Sequence, residues 1–373
     1  MKKYVSLALL LLFCFSRGPA QQLEERLHGL LDSVYQANKE AIGILVHVES
    51  PKDSLSWTKA FGVSDTVTKA QLLVDQPVLI ASNTKPYVAA ASLRFVEEGK
   101  FTLDQTIENL LSLPTTRLLK GNGYKLDKIQ VKHLLSHTSG IRDYVDEDYL
   151  KWVDEHPQYK WKQVEQIKRS VELGPPLDEP GKSFKYGDIN YLLLAEIFER
   201  FSKRPFYGTI RSLNKFEALG LNHTWFKDLE TYPSHTLPLA HQYADKYGWD
   251  SYDLDPSWDL YGGGGMASTV KDAALFFQYL FEGKIIEDQE LLEKMHSYVL
   301  PKEESNYCLG VRLLDFGKYR LYYHGGWWGT DVIYCPETGS SVAVFTLQKG
   351  KRNQINPFLG KTITEMLLGG NSK

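Results

Sequence analysis

The stretch Val78–Gly99, VLIASNTKPYVAAASLRFVEEG, restricts the fold more than any other part of the chain. From Tyr87 to Val96 it is apolar apart from Ser92 and Arg94, a pattern that reads as a helix buried on nearly all sides. A short apolar run, Val78 to Ala81, leads into it. Pro86 fits a helix only close to its start, where the missing N–H has no intrahelical partner to lose. The helix therefore begins at or near Ser82, and Ser82 and Lys85 project from one face of its first turn. The positive end of the helix dipole then falls where an attacked carbonyl would build negative charge.

Ser-x-x-Lys alone is weak, because it occurs at Ser56/Lys59, Ser82/Lys85, Ser212/Lys215 and Ser268/Lys271. Ser56 falls in the strand-like run LSWTKAFG, where residues three apart face opposite ways. Ser212 lies in a mixed polar segment, and Ser268 reads as the N-cap of KDAALFFQYL. Ser82 stands out through its buried helix and its partners downstream.

At 373 residues the chain exceeds one ordinary hydrophobic core, so two lobes around a cleft are expected. A formal net charge of -3 with scattered Lys and Arg argues against a nucleic-acid partner. Residues 1–20 read as an export signal: Lys2 and Lys3, an apolar run from Val5 to Phe15, then Gly18-Pro19-Ala20 as the cleavage site. The mature chain, residues 21–373, is then expected outside the cytoplasm, periplasmic or secreted, with no transmembrane segment. Cys14 lacks the small residues of a lipoprotein signal. Export permits a disulfide between Cys308 and Cys335, but spacing does not establish one.

Leu23, Leu27, Leu30, Leu31 and Val34 share one helical face. Ile42–Glu49 and Leu55–Gly62 read as a strand hairpin across ESPKDS. Residues from about 100 to 265 alternate helical patches with Pro- and Gly-rich loops. A helix over 268–282, four short strands (307–314, 319–324, 331–334, 341–347) and a helix over about 355–368 follow. The expected class is α/β in the α+β sense: an antiparallel sheet built from N- and C-terminal segments and flanked by helices. A mostly helical lobe (about 83–265) is inserted into the sheet lobe (about 21–82 and 266–373). Ser82 lies where one lobe hands over to the other, in the interlobe cleft.

Two downstream segments complete a pattern. Phe184-Lys185-Tyr186-Gly187-Asp188-Ile189-Asn190-Tyr191 follows PGKS and opens the helix LLLAEIFERF, and His324-Gly325-Gly326-Trp327-Trp328-Gly329 ends the strand RLYYH. With Ser82-x-x-Lys85, in this order, the chain resembles the serine beta-lactamase and penicillin-binding-protein superfamily, in its class C beta-lactamase-like branch. HLLSHTSGIRDY (133–144), PGKSFKYGDINYLLLAEIFE (180–199) and GGGGMASTVKDAALF (262–276) support the resemblance. It implies Ser82 as nucleophile, Lys85 as its proton partner and Tyr186 as general acid/base. It also implies an oxyanion hole from the backbone N–H groups of Ser82 and Trp327. Substrate-binding positions would be Asp188, His324, Gly325, Gly326, Trp327 and, in the loop Arg142-Asp143-Tyr144 bordering the pocket, Tyr144.

The chemistry agrees with this. A serine hydroxyl needs a neighbouring base, and Lys or Tyr serves once its proton is made labile; the base role stays open between Lys85 and Tyr186. The sequence has no Gly-x-Ser-x-Gly elbow, His-Glu-x-x-His or Cys-x-x-Cys, so neither a His-Asp triad nor a metal or other cofactor is expected. Two departures bear on substrate. Asp188 stands where the family has an amide, and a carboxylate only accepts hydrogen bonds. His324 stands where the family has a lysine, removing the fixed cation that would hold a substrate carboxylate. The expected activity is that of an exported serine hydrolase acting through an acyl-enzyme on a small ester, amide or peptide, esterase-like or D-amino-acid-peptidase-like. Beta-lactamase or penicillin-binding activity proper, and a non-catalytic ligand-binding domain of the same fold, are the alternatives. Trp327 and Trp328 read either as an apolar wall or as core. His133 and His137 read as a structural loop, and His241 and Tyr243 as cleft-lining. Oligomeric state is not legible.

Overall fold

The computed structural model describes residues 18–369. In chain order its strands are β1 (Gly43–Ser50), β2 (Leu55–Gly62), β3 (Val78–Leu79), β4 (Thr224–Phe226), β5 (Tyr243–Ala244), β6 (Trp249–Asp250), β7 (Met266–Ser268), β8 (Arg312–Phe316), β9 (Tyr319–Gly326), β10 (Thr330–Cys335) and β11 (Ser340–Thr346). The main sheet is antiparallel and six-stranded, in the order β2-β1-β11-β10-β9-β8. The first hairpin is therefore closed onto the chain's last strand, with Val46 opposite Val344. The short strands form a small β3-β7-β4 sheet and a β5-β6 hairpin, neither of which was expected from the sequence. Runs of two or three residues are too short to show period-2 alternation.

Strand alternation divides the core. Ile44, Val46 and Val48 point to one face, against Leu27 and Leu31 of the helix Pro19–Ala37 and Ile355, Leu359 and Ile363 of the C-terminal helix Lys349–Gly369. Leu45, Ala343 and Phe345 point to the other, into the large core shared with the helices Lys85–Glu97, Ile189–Ser202 and Val270–Phe281. The C-terminal helix starts at Lys349, ahead of the expected 355. Asn356 anchors this polar start on the sheet: its Nδ2 donates to the carbonyls of Gly329 (2.9 Å) and Val344 (3.0 Å). The N-cap of the helix Val270–Phe281 is Thr269 rather than Ser268, which ends β7.

Between residues 85 and 219 the chain is predominantly helical. The helix behind Ser82 is buried at every position from Lys85 to Leu93. Of the export signal, residues 1–17 lie outside the described residues, while Pro19 and Ala20 open the first helix. Cys308 and Cys335 are both buried free thiols, and burial pushes both upward in pKa, Cys308 to about 12. No described helix is long and apolar enough to cross a membrane.

Candidate active site

Ser82 sits on a tight 3₁₀ turn, Ala81–Thr84, between β3 and the buried helix, which begins at Lys85. Ala81 reaches it with φ +45°, a left-handed conformation that a non-glycine residue holds only when its surroundings enforce it. Those surroundings are hydrogen bonds. Ile80 donates its N–H to Met266 of β7 (2.9 Å) and its carbonyl accepts from Thr330 Oγ1 of β10 (3.0 Å). Asn83 Nδ2 donates to the same Thr330 hydroxyl (2.9 Å) and carbonyl (3.1 Å).

The end of β9 closes on this turn. A Cβ added at Gly326 would collide with the Ile80 carbonyl oxygen, so glycine is what lets the strand approach. Trp327 follows directly. Gln242 ties both sides together: its amide donates to the carbonyls of Leu79 (3.0 Å) and Trp328 (2.9 Å), and its oxygen accepts the Leu79 N–H (2.8 Å). Gln242 and Thr330 are thus positioning residues, and no motif in the sequence marks either of them.

Tyr186 arrives from the helical lobe. The residues around it are pinned by His137, itself at φ +57°, whose carbonyl accepts the Lys185 N–H (2.9 Å) and whose Nδ1 accepts the Gly187 N–H (3.2 Å). Nε2 therefore carries the proton. The imidazole lies under the Tyr186 ring, centroids 4.2 Å apart. Burial, then the Lys85 ammonium, push His137 far below its ordinary pKa, so the ring is neutral. The SHTSG segment is in this way a cradle for the tyrosine.

The three groups meet. Lys85 is fully buried, and its Nζ donates to Ser82 Oγ at 3.0 Å and to the Gly263 carbonyl at 2.6 Å. It pairs with Asp188 Oδ1 at 2.5 Å and lies 4.8 Å from the centre of the Tyr186 ring. Tyr186 thus stands beside both groups, with 37% of the residue exposed.

The electrostatics are set by carboxyls. Burial pushes Lys85 down, but Asp188, then Tyr186 and Asp259, outweigh it and hold the ammonium charged. Burial raises Tyr186, Lys85 pulls it back, and Asp188 raises it again, leaving a neutral phenol. Asp143 and Asp259 belong to the same cluster. Gly187, Gly263 and Gly264 make room for it: Cβ atoms there would fall 3.1 Å from Asp143 Cβ, 2.9 Å from Asp188 Cβ and onto the Asp259 carboxyl. Burial and then Asp188 raise Asp143 to about 7 and Asp259 well above the carboxylate range. One lysine thus faces three carboxyls, of which Asp259 holds its proton at neutral pH. Asp143 was expected only as part of a loop at the pocket, and Asp259 not at all; the signal for both is the glycines packed on them.

The remaining expected substrate positions divide. Trp327 is half-buried, whereas Trp328 is core. Gly325 has no room for a side chain, since a Cβ would strike Arg352, Asp331 and Tyr323. His324 was expected to meet substrate but is 3% exposed; its Nε2 pairs with the Tyr307 hydroxyl (2.9 Å), and burial, then Lys85 and Arg312, keep it neutral. Tyr144, also expected at the pocket, has no accessible surface and packs edge-on against Tyr149. Both residues back the site instead of facing it, because each side chain turns inward onto an aromatic neighbour. His241 Nδ1 is taken by Asp250 (2.7 Å), and the Tyr243 hydroxyl by Thr66. Among the described residues no group of three or more His, Cys, Asp or Glu is arranged to hold a metal ion.

An antiparallel sheet flanked by helices, with Ser82 at the mouth of a buried helix, is the arrangement of the beta-lactamase fold. The chain belongs to the beta-lactamase family, whose model matches residues 32–360. It is 23% identical over 281 residues to penicillin-binding protein 4* of Bacillus subtilis, covering 72% of this chain and 59% of that one. The chain spans less than two thirds of the length of such curated relatives. Its fold is similar to D-amino acid amidase from Ochrobactrum anthropi SV3, with TM-score 0.75, 23% identity and coverage of 94% of this chain and 100% of that one. It is also similar to EstCE1, a hydrolase with promiscuous acyltransferase activity, with TM-score 0.74, 19% identity and coverage of 93% and 99%.

Proposed function

We propose that this chain is an exported serine hydrolase that cleaves small esters or amides through an acyl-enzyme on Ser82. The observation that carries the reading is the 3.0 Å contact between Ser82 Oγ and Lys85 Nζ, with the centre of the Tyr186 ring 4.8 Å from the same Nζ. Asp188 holds Lys85 as an ammonium, so the base role passes to Tyr186, whose phenolate that ammonium favours. Deprotonated Tyr186 takes the Ser82 proton as Oγ attacks the carbonyl carbon. The oxyanion is met by the N–H groups of Ser82 and Trp327. Tyr186 then returns the proton to the departing amine or alcohol, and water repeats the sequence to free the acid.

Esters and amides are favoured over beta-lactams for two reasons within the site. His324 is held uncharged by burial, and Asp188 presents only lone pairs. The names of the structural neighbours, an amidase and a promiscuous hydrolase, support an amide or ester as the class.

The test is a paired assay. Wild type and Ser82→Ala are given p-nitrophenyl acetate, a D-amino acid amide and nitrocefin, and intact-mass measurement looks for acylated Ser82. Turnover and acylation confined to wild type are expected, with nitrocefin the poorest substrate. Equal nitrophenol release by the two proteins overturns the reading.

A further inference from the structure

We propose that Lys349 and Trp327 form a subsite for an anionic group, so that the preferred ester or amide carries a carboxylate on its acyl part. The proposal rests on the hydrolase reading above and adds the substrate's charge to it.

Lys349 is the first residue of the C-terminal helix, and its Nζ lies over the Trp327 ring, 4.5 Å from the centroid. Trp327 is the residue whose N–H faces the oxyanion in the proposed mechanism, and Tyr247, Trp249 and Trp258 pack around its ring at 5.6–6.1 Å. A substrate held by that N–H therefore has the indole beside it and the ammonium at the indole's face.

Neighbouring cations are matched: Lys246 with Glu147, Lys351 with Glu40, Arg352 with Asp331. The nearby Asp245 accepts from Gln348 Nε2 at 2.6 Å. No ion pair of Lys349 occurs among the described residues, although the residue is half-buried. Burial, then Arg352 and Lys246, all push its pKa down, and no carboxylate pushes it back. A partly desolvated charge on an aromatic face is costly without a counter-ion, and an anionic substrate group supplies one. The strand itself offers no such cation, because His324 is neutral and buried.

The test compares p-nitrophenyl hemisuccinate with p-nitrophenyl butyrate, esters of one leaving group whose acyl chains differ in the terminal carboxylate. Wild type is expected to favour the hemisuccinate by about tenfold in kcat/KM, in line with one desolvated charge pair. Lys349→Met, which keeps an apolar stem on the indole, should bring the ratio to about one, and Lys349→Arg should restore it. Added salt should erode the wild-type preference. An unchanged ratio in Lys349→Met overturns the subsite. Butyrate turnover without preference in wild type overturns it while leaving the hydrolase reading standing; turnover of neither ester overturns both.

Discussion

Lys85 Nζ and Asp188 Oδ1 lie 2.5 Å apart, inside the protein, and the same ammonium reaches the Ser82 hydroxyl. The carboxylate raises both Lys85 and Tyr186, so in the proposed mechanism it sets the pH at which Ser82 gives up its proton. Replacing Asp188 by Asn keeps the shape and removes the charge. The alkaline rise in kcat/KM should move to lower pH by about one unit or more. An unmoved midpoint would separate Asp188 from proton transfer in the site.

Tyr186 is neutral at rest: desolvation at its hydroxyl end, and then Asp188, keep its pKa above the ordinary phenol value although 37% of the residue is exposed. In wild type the active phenolate fraction grows with pH throughout the neutral range. The logarithm of kcat/KM should climb with a slope of about one between roughly pH 6 and 9. Tyr186→Phe should lose about 10²- to 10⁴-fold at the optimum while unfolding at the wild-type temperature, since the ring contacts with His137 and Tyr307 remain. A profile flat in this range, with Tyr186→Phe fully active, would assign the base elsewhere.

Removing Lys85 leaves Asp188, only 14% exposed, without its partner. Lys85→Met should destabilise the fold by about 3–5 kcal/mol near neutral pH, measured by denaturant unfolding. Adding Asp188→Asn should recover much of that loss, because the stranded charge is gone. Equal stability of the single and double variants would count against a strong buried pair.

Asp143 makes a stability prediction with a definite sign. Its folded pKa, raised by burial and Asp188 to about 7, exceeds the unfolded value. The native state therefore keeps a proton that the unfolded chain gives up, and stability falls as pH rises from about 4 to about 7. Asp143→Asn retains the acceptor for the Ile189 and Tyr144 N–H groups and removes the titration. The variant should gain about 1–3 kcal/mol over wild type between about pH 4 and pH 8. A pH-independent difference would show that Asp143 titrates normally.

Gly326→Ala tests the contact between the strand and the serine turn. Its Cβ would run into the Ile80 carbonyl and Thr330 Oγ1, so β9 or the turn must shift. Activity should drop by about 10²-fold or more, in keeping with a misplacement of about 1 Å. Gly99→Ala, at a glycine with open space but φ +69°, is the control for backbone strain away from the site.

Much of this arrangement is legible without coordinates. The hairpin over residues 43–62, the helix behind Ser82, the last three strands and the glycine-bearing end of β9 follow from local periodicity and turn chemistry, whereas the strand expected over 307–314 is formed only from Arg312 to Phe316. The departures are instructive. Tyr144 and His324 were expected at the ligand and lie behind it, because a motif position sets proximity to a site without setting which way a side chain turns. The short strands β3 to β7 were missed because two or three residues display no pattern.

By itself the sequence determined the order in which the chain supplies Ser82, Lys85 and Tyr186, the side chains on which the proposed acyl transfer rests. It also determined where sheet and where helix would predominate, since both follow from periodicities a few residues long. Only the tertiary structure decided that Asp143, Asp188 and Asp259 crowd around one lysine, that His137 carries the tyrosine, and that Lys349 rests on the Trp327 ring. Those juxtapositions join segments far apart in the chain, and the protonation of each group is set by the burial and charge of all the others. No local pattern encodes such a sum; it exists only once the chain is packed.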